Sequence, residues 1–231
     1  MNSGSWAARR GEIETYFDRT AAEAWARLTS DAPVSAIRAT VRAGREAMRT
    51  TLLGWLPQDM RGLRLLDAGC GTGALALEAA RRGAEVLAID VSRSLVEVAR
   101  ERVGDGVRGL RFEVGDMLDP GLGSFDHVVA MDSLIHYRAT DAVKALAGLA
   151  PRVRRSILFT FAPRTPLLAG MHFLGRAFPR GDRAPAIEPV GEAALRRLIA
   201  CEPGLAAFEP GRSRRVAKGF YTSQGLELLR P

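Results

Sequence analysis

The stretch Leu63-Arg64-Leu65-Leu66-Asp67-Ala68-Gly69-Cys70-Gly71-Thr72-Gly73 decides how the rest of the chain is read. Leu63 to Asp67 is a short apolar run, as a buried strand requires. Gly69 to Gly73 is a loop of small residues, and Ala74 to Arg82 has helical spacing that stops at Gly83. The same grammar repeats downstream. Glu85 to Asp90 reads as a second strand, Ser92 caps a helix running to about Val103, and Leu110 to Val114 reads as a third strand. Phe125 to Asp132 is a strongly apolar fourth strand, Ala139 to Ala150 a crossover helix and Ser156 to Ala162 a fifth strand. Strands alternating with helices predict an α/β fold with a doubly wound, mostly parallel sheet.

The flanks break this alternation. Residues 1–56 read as mainly helical, with Tyr16, Phe17 and Trp25 as aromatic anchors, and predict a helical cover ahead of the domain proper at 57–231. After Pro163 comes a helical insertion, at about 164–190, in which Leu168, Met171, His172, Gly175 and Phe178 recur at helical spacing. Gly191 to Ala200 is a further helix. The tail from Leu205 to Leu229 supplies two antiparallel strands, joined through the basic stretch Arg212 to Arg215, which bring the sheet to seven strands. No repeat or low-complexity linker is present.

At 231 residues and 47% hydrophobic, the chain is long enough to bury a full core. No apolar run approaches the roughly 18 residues that span a bilayer, and Met1 to Gly11 lacks the apolar stretch of a signal peptide, so a cytoplasmic location is expected. Cys70 and Cys201, the only cysteines, read as reduced thiols and exclude both a disulfide framework and a multi-cysteine metal site. The net charge of +7 is carried almost wholly by arginine, since Lys144 and Lys218 are the only lysines. Arginine suits planar recognition of carboxylate or phosphate, although an arginine-rich composition is equally compatible with solvated surface charge.

In a doubly wound sheet the carboxyl ends of the strands converge on one crevice. Asp67 and the loop Gly69, Cys70, Gly71 and Gly73 stand at the first strand end, Asp90 and Val91 at the second, and Asp116 and Met117 just past the third. A carboxylate at Asp90 is placed to bond the two hydroxyls of a ribose. The loop does not fit the Gly-x-Gly-x-x-Gly spacing that seats a dinucleotide pyrophosphate. Its Gly-x-Gly-x-Gly spacing after an acidic residue resembles the signature of Rossmann-like methyltransferases over roughly Leu63 to Ala162. That resemblance implies S-adenosylmethionine as cofactor and S-adenosylhomocysteine as product. Asp67 and the loop would hold the methionine part, Asp90 the ribose, and Asp116 with Met117 the adenine.

Past the fourth strand lies Asp132-Ser133-Leu134-Ile135-His136-Tyr137, where an acceptor would meet the methyl group. With Tyr16-Phe17, Trp25-Ala26-Arg27, Leu53-Gly54-Trp55-Leu56 and Phe161-Ala162-Pro163-Arg164, this segment resembles the magnesium-protoporphyrin IX O-methyltransferase family over nearly the whole chain. The resemblance implies esterification of one propionate of magnesium-protoporphyrin IX in chlorophyll or bacteriochlorophyll synthesis. It places Asp132 beside the cofactor and His136 at the catalytic position. There an orienting role comes before proton abstraction, with ligation of magnesium as an alternative and simple capping of loop carbonyls as the plainer reading. Tyr16, Phe17, Tyr137, Arg164 and His172 are then candidate contacts to the porphyrin, with Arg180 an alternative to Arg164 as partner of a propionate. His172, on an apolar helical face, reads more readily as a packing residue than as a ligand. The chain departs from the family pattern at Thr29, where a tyrosine implicated in closing over the cofactor often stands; Tyr16 or Phe17 would take over that role, or it is dispensable.

Three other readings compete. A quinone or natural-product hydroxyl as acceptor would make His136 a true base. A nucleic-acid methyltransferase is suggested by the positive charge and by Arg212 to Arg215, but no added RNA-binding module is visible. A porphyrin carrier without turnover fits poorly with intact cofactor residues. The resemblance makes a magnesium chelatase subunit a candidate partner. Contact with the photosynthetic membrane is peripheral at most, through the helix Pro166 to Phe178, whose apolar stripe reads first as core packing.

Overall fold

The computed structural model describes residues 3–18, 29, 35–104, 106–164 and 186–231. The segment expected as a helical insertion, with His172 and Arg180, and the Trp25 segment lie largely or wholly outside these residues.

Seven strands form one sheet in the order β3-β2-β1-β4-β5-β7-β6. They are β1 (Arg64–Ala68), β2 (Glu85–Asp90), β3 (Leu110–Val114), β4 (Phe125–Ala130), β5 (Val153–Phe161), β6 (Glu209–Lys218) and β7 (Tyr221–Leu229). β1 to β5 pair in parallel, whereas β7 runs antiparallel to both β5 and β6. The middle strands are buried on both faces, which is why β1, β2 and β4 read as continuous apolar runs rather than alternating ones. The Rossmann-like doubly wound α/β fold expected from the loop and its neighbours is the fold observed.

Six described helices are α1 (Ser3–Tyr16), α2 (Ala36–Trp55), α3 (Ala74–Arg81), α4 (Arg93–Val103), α5 (Ala139–Leu149) and α6 (Glu192–Ala200). The sheet separates two cores. On one side Met48, Leu52 and Leu53 of α2 pack with Ala76 and Ala79 of α3, Val96 and Ala99 of α4, and Leu158 and Tyr221 of the sheet. On the other, Trp6 and Ile13 of α1 join Leu146 and Leu149 of α5, Leu195 and Ile199 of α6, and the fully buried Phe125 and Phe159. Large-to-small changes at Phe125 or Phe159 should cost about 3–5 kcal/mol, because the sheet holds the neighbours apart and the cavity cannot collapse.

Three expected boundaries are corrected. Arg212 to Arg215 do not join the last two strands; they lie inside β6, and the reversal is at Gly219-Phe220, with Gly219 at φ +55°. Pro210 and Gly211, which look like breakers, instead accompany a bulge between Pro210 and Ser213 in an edge strand, where a missing N–H is tolerated. β5 starts at Val153 rather than Ser156, because Arg154 and Arg155 remain in the strand with exposed side chains facing the Asp126 carboxylate at 3.6 Å. β4 ends at Ala130 rather than Asp132, since Asp132 turns the chain with φ +54°.

Candidate active site

The glycine loop is built by left-handed backbone: Gly69, Gly71 and Gly73 have φ of +84°, +53° and +77°. At Gly69 there is also no room, for an added Cβ would lie 2.3 Å from Cβ of Ser133. The loop is stitched to β2 by amides of Gly69 and Cys70 donating to the Ile89 carbonyl at 2.8 and 3.0 Å. Asp90 completes the stitching, accepting from Gly71 N at 2.8 Å and Ser92 N at 2.9 Å.

Asp67 is 2% exposed, and its Oδ2 is buried with no hydrogen-bond partner. Burial, reinforced by the Asp90 charge, pushes its pKa up to about 7. Burial also raises the pKa of Asp90, against the amides of Ser92 and Gly71 that favour its charged form. The Cys70 thiol is pushed well up by burial and by the same two carboxylates.

Two clefts open on either side of this loop and share Gly69, Arg45 and Met131. The first, of about 620 Å³, is lined by Gly69, Gly71, Asp90, Val91, Met117, Asp132, His136 and Tyr137, with Ile13 and Phe17 above. The second, of about 830 Å³, is lined by Asp67, Cys70 and Thr72 opposite Arg42, Arg45 and Arg49 of α2. Most of the expected cofactor residues are thus gathered at one place. Gly73 lies behind the loop as the N-cap of α3. Asp116 lines neither cleft; its carboxylate accepts from Arg10 at 2.6 Å and from Leu118 N at 2.9 Å.

Arg10 belongs to a clamp that holds α1 over the strand ends. Trp6 stacks on Tyr137 with centroids 4.0 Å apart, and Arg9 reaches Glu188 at 3.3 Å. Asp18 accepts from Ser92 Oγ at 2.6 Å and Ser94 N at 3.1 Å, adding a second cap to α4. Of these, Trp6, Arg9, Arg10, Asp18 and Glu188 carry no signal in the sequence that singles them out. Trp6, Arg10, Ile13 and Phe17 do recur at helical spacing, but the stripe mixes charge with apolar surface and so carries a weak periodic signal.

His136 sits in a 3-10 turn, Leu134–His136, and is 9% exposed. Its Nδ1 lies 3.4 Å from the Ala186 carbonyl, and its ring meets Phe17 edge-on at 6.4 Å. Tyr16 packs against Phe17 rather than into either cleft. Tyr137 is buried, and burial, with the Asp116 charge, raises its phenol pKa. Arg164 is exposed past β5, with its amide on the Val190 carbonyl, and lines neither cleft. Thr29 lines the second cleft, and its carbonyl and hydroxyl accept from Arg102 at 3.2 and 2.9 Å. Among the described residues no group of three or more His, Cys, Asp or Glu is placed to hold a metal ion.

The chain is similar to known methyltransferases. Residues 130–230 match the family model described as magnesium-protoporphyrin IX methyltransferase C-terminus, and residues 65–155 match a general methyltransferase domain. The chain is 48% identical to the magnesium-protoporphyrin O-methyltransferase of Rhodobacter capsulatus, covering 96% of this chain and 97% of that protein. The crystal structure of magnesium protoporphyrin IX methyltransferase from Synechocystis PCC 6803 with bound SAH superposes with a TM-score of 0.84 at 28% identity, over 96% of this chain and 99% of the other. A ubiquinone biosynthesis O-methyltransferase of Xanthomonas euvesicatoria is 33% identical over 78% of this chain and 77% of its own length.

Proposed function

The chain belongs to the magnesium-protoporphyrin O-methyltransferase family, and from that premise we propose that it moves a methyl group from S-adenosylmethionine to a propionate carboxylate of magnesium-protoporphyrin IX, giving the monomethyl ester of chlorophyll and bacteriochlorophyll synthesis. The observation that carries this reading is 48% identity over 96% of the chain together with a family match over residues 130–230, the part that holds the His136 turn and the end of the sheet where an acceptor would enter.

The residues present fit the donor. The buried, unpartnered Oδ2 of Asp67 suits the ammonium of an amino acid, and Arg42 and Arg49 across the same cleft suit its carboxylate. Asp90 stands where a ribose would offer two hydroxyls, with Val91 beside it, and the side-chain-free Gly69 and Gly71 admit close approach. Met117 supplies apolar contact for an adenine, and Asp116 beside it holds Arg10 of α1 over that end of the cleft.

S-adenosylmethionine, when bound, supplies the methyl group on a positively charged sulfur. A propionate with a pKa of about 4 to 5 is already ionised at neutral pH, so the chain need not abstract a proton. Its work is to hold the carboxylate oxygen in line and exclude water. The Ala186 carbonyl can only accept, so a protonated Nδ1 of His136 donates to it at 3.4 Å, and this contact fixes the plane of the ring. That arrangement suits an orienting group, including one directed at the magnesium of the substrate. Phe17 offers flat apolar surface to the macrocycle, with Tyr16 against it; Tyr137 lines the same cleft with one ring face on Trp6, and Arg164 supplies a cation for a propionate.

A magnesium chelatase subunit is the proposed partner, docking on the basic edge strand β6, where Arg214, Arg215 and Lys218 are exposed. The proposed location is the cytoplasm, with at most peripheral contact with the photosynthetic membrane; no described helix is long and apolar enough to cross a membrane.

The similarity to a ubiquinone biosynthesis O-methyltransferase favours one second reading, a quinol hydroxyl as acceptor. The pH–rate profile separates the two. A carboxylate acceptor gives kcat flat above about pH 6, whereas a phenolic hydroxyl needs a base and gives kcat rising through a pKa of about 6.5.

A further inference from the structure

Asp132 is the one described residue other than glycine with a positive φ, and it stands where β4 breaks into the His136 turn. The left-handed step sends Ser133 back across the sheet end, where its Oγ donates to the Ala68 carbonyl at 2.8 Å and its Cβ fills the space left by Gly69. Leu134, Ile135 and His136 follow immediately. The conformation of this single residue therefore sets the glycine loop and the His136 turn relative to each other. Side chains rarely adopt such backbone unless the surroundings over-determine it.

The surroundings here do so. The Asp132 side chain is 4% exposed, and its two oxygens accept from four donors on three elements. Arg45 of α2 donates at 2.7 Å, Thr160 of β5 at 3.1 Å, Ser223 of β7 at 3.1 Å, and Tyr221 of β7 reaches both oxygens at 3.2 and 3.1 Å. The Asp132 amide in turn donates to Thr160 Oγ1 at 2.7 Å. One arginine would suffice to balance the charge; three further hydroxyls fix the direction of the carboxylate. Tyr221 is itself held, because its ring lies on Gly44, where an added Cβ would sit 2.4 Å from Cδ1. Burial and the Asp132 charge raise the pKa of the phenol, so it remains a donor.

We infer that Asp132 and Tyr221 are positioning residues for methyl transfer, acting through the Ser133–His136 turn rather than by touching the reacting atoms. This rests on the functional reading above: Asp132 lines the first cleft, and its oxygens hold the protein's own groups there.

The test is kinetic. Tyr221→Phe keeps the ring on Gly44 and removes one hydroxyl, Asp132→Asn keeps the size and alters the acceptor set, and Gly44→Ala displaces the ring from behind. Each is compared with wild type for kcat, KM for acceptor, Kd for S-adenosylhomocysteine and Tm. The expected result is a fall in kcat of about 10-fold for Tyr221→Phe, since small misplacements of reacting groups cost rate, with Kd and KM within about twofold and Tm close to wild type. Asp132→Asn, if it folds, loses more. A Tyr221→Phe enzyme with kcat within about twofold of wild type overturns the inference, as does a loss that appears only in Tm. Wild-type enzyme that methylates a quinol and not the porphyrin overturns the acceptor assignment alone, and the same kcat comparison on the quinol then decides the positioning roles.

Discussion

Gly69 and Ser133 meet at the floor of the cleft so closely that one methyl group on Gly69 would lie 2.3 Å from Ser133 Cβ. The first prediction follows from that contact. Gly69→Ala should weaken S-adenosylhomocysteine binding by at least about 10-fold, because the loop and the His136 turn must separate. The double variant with Ser133→Gly removes the collision but not the φ of +84°, so it should recover part of the affinity. Titration calorimetry on the three proteins reads the effect; equal affinity of Gly69→Ala and wild type would show that the loop does not touch the donor.

The buried Asp67 makes binding pH-dependent. Its pKa is about 7 in the fold against an ordinary 3.8, so between these values the folded chain holds a proton that the unfolded chain has released. For this group alone stability therefore declines as pH rises from about 4 to about 7. The Tm difference between wild type and Asp67→Asn should shift against wild type over that window. A cation seated on the free Oδ2 reverses the preference, so donor binding near pH 6 should release a proton and tighten toward pH 7. Calorimetry in two buffers of different ionisation heat measures the release; none at pH 6, or the same release in Asp67→Asn, contradicts the assignment.

The clamp on α1 predicts a kinetic effect more than an energetic one. The Arg10–Asp116 pair is partly exposed, with side chains 38% and 23% accessible, and such pairs contribute about 0–1 kcal/mol. Arg10→Ala and Asp18→Ala should accelerate S-adenosylhomocysteine dissociation by about 2- to 5-fold each, within that energy range, while Tm barely moves. Stopped-flow displacement would test this, and an unchanged off-rate in both variants would mean that α1 does not govern release.

For His136 an orienting role predicts that His136→Ala lowers kcat by about 10- to 100-fold without introducing or removing a pKa. The pH profile of the residual activity should stay as flat as that of wild type. A wild-type profile that rises through neutrality and is lost in His136→Ala would instead identify a base.

Much of this site is legible in the order of residues along the chain. The glycine loop, Asp90 and the His136 turn stand at strand ends, and strand ends in a parallel sheet converge, so residues far apart in sequence can be placed together. Other features lack a local signature. The four donors to Asp132 come from α2, β5 and β7, and a single aspartate in a sequence does not announce a left-handed φ or name its partners. Arg212 to Arg215 read as a polar turn because edge strands carry charge, and Pro210-Gly211 looks like a stop until its bulge is seen. Arg42, Arg45 and Arg49 look like a solvated helix face, yet they line the second cleft, alongside the stripe of α2 that buries Met48 and Leu52.

The most direct test of the central claim is turnover of wild-type enzyme with methyl-labelled S-adenosylmethionine in a mixture of magnesium-protoporphyrin IX and a quinol, with products separated and read by mass. The account predicts label in a single methyl ester of the porphyrin and none in the quinol. Label in the quinol with the porphyrin unchanged would leave the fold and the donor site standing and contradict the acceptor.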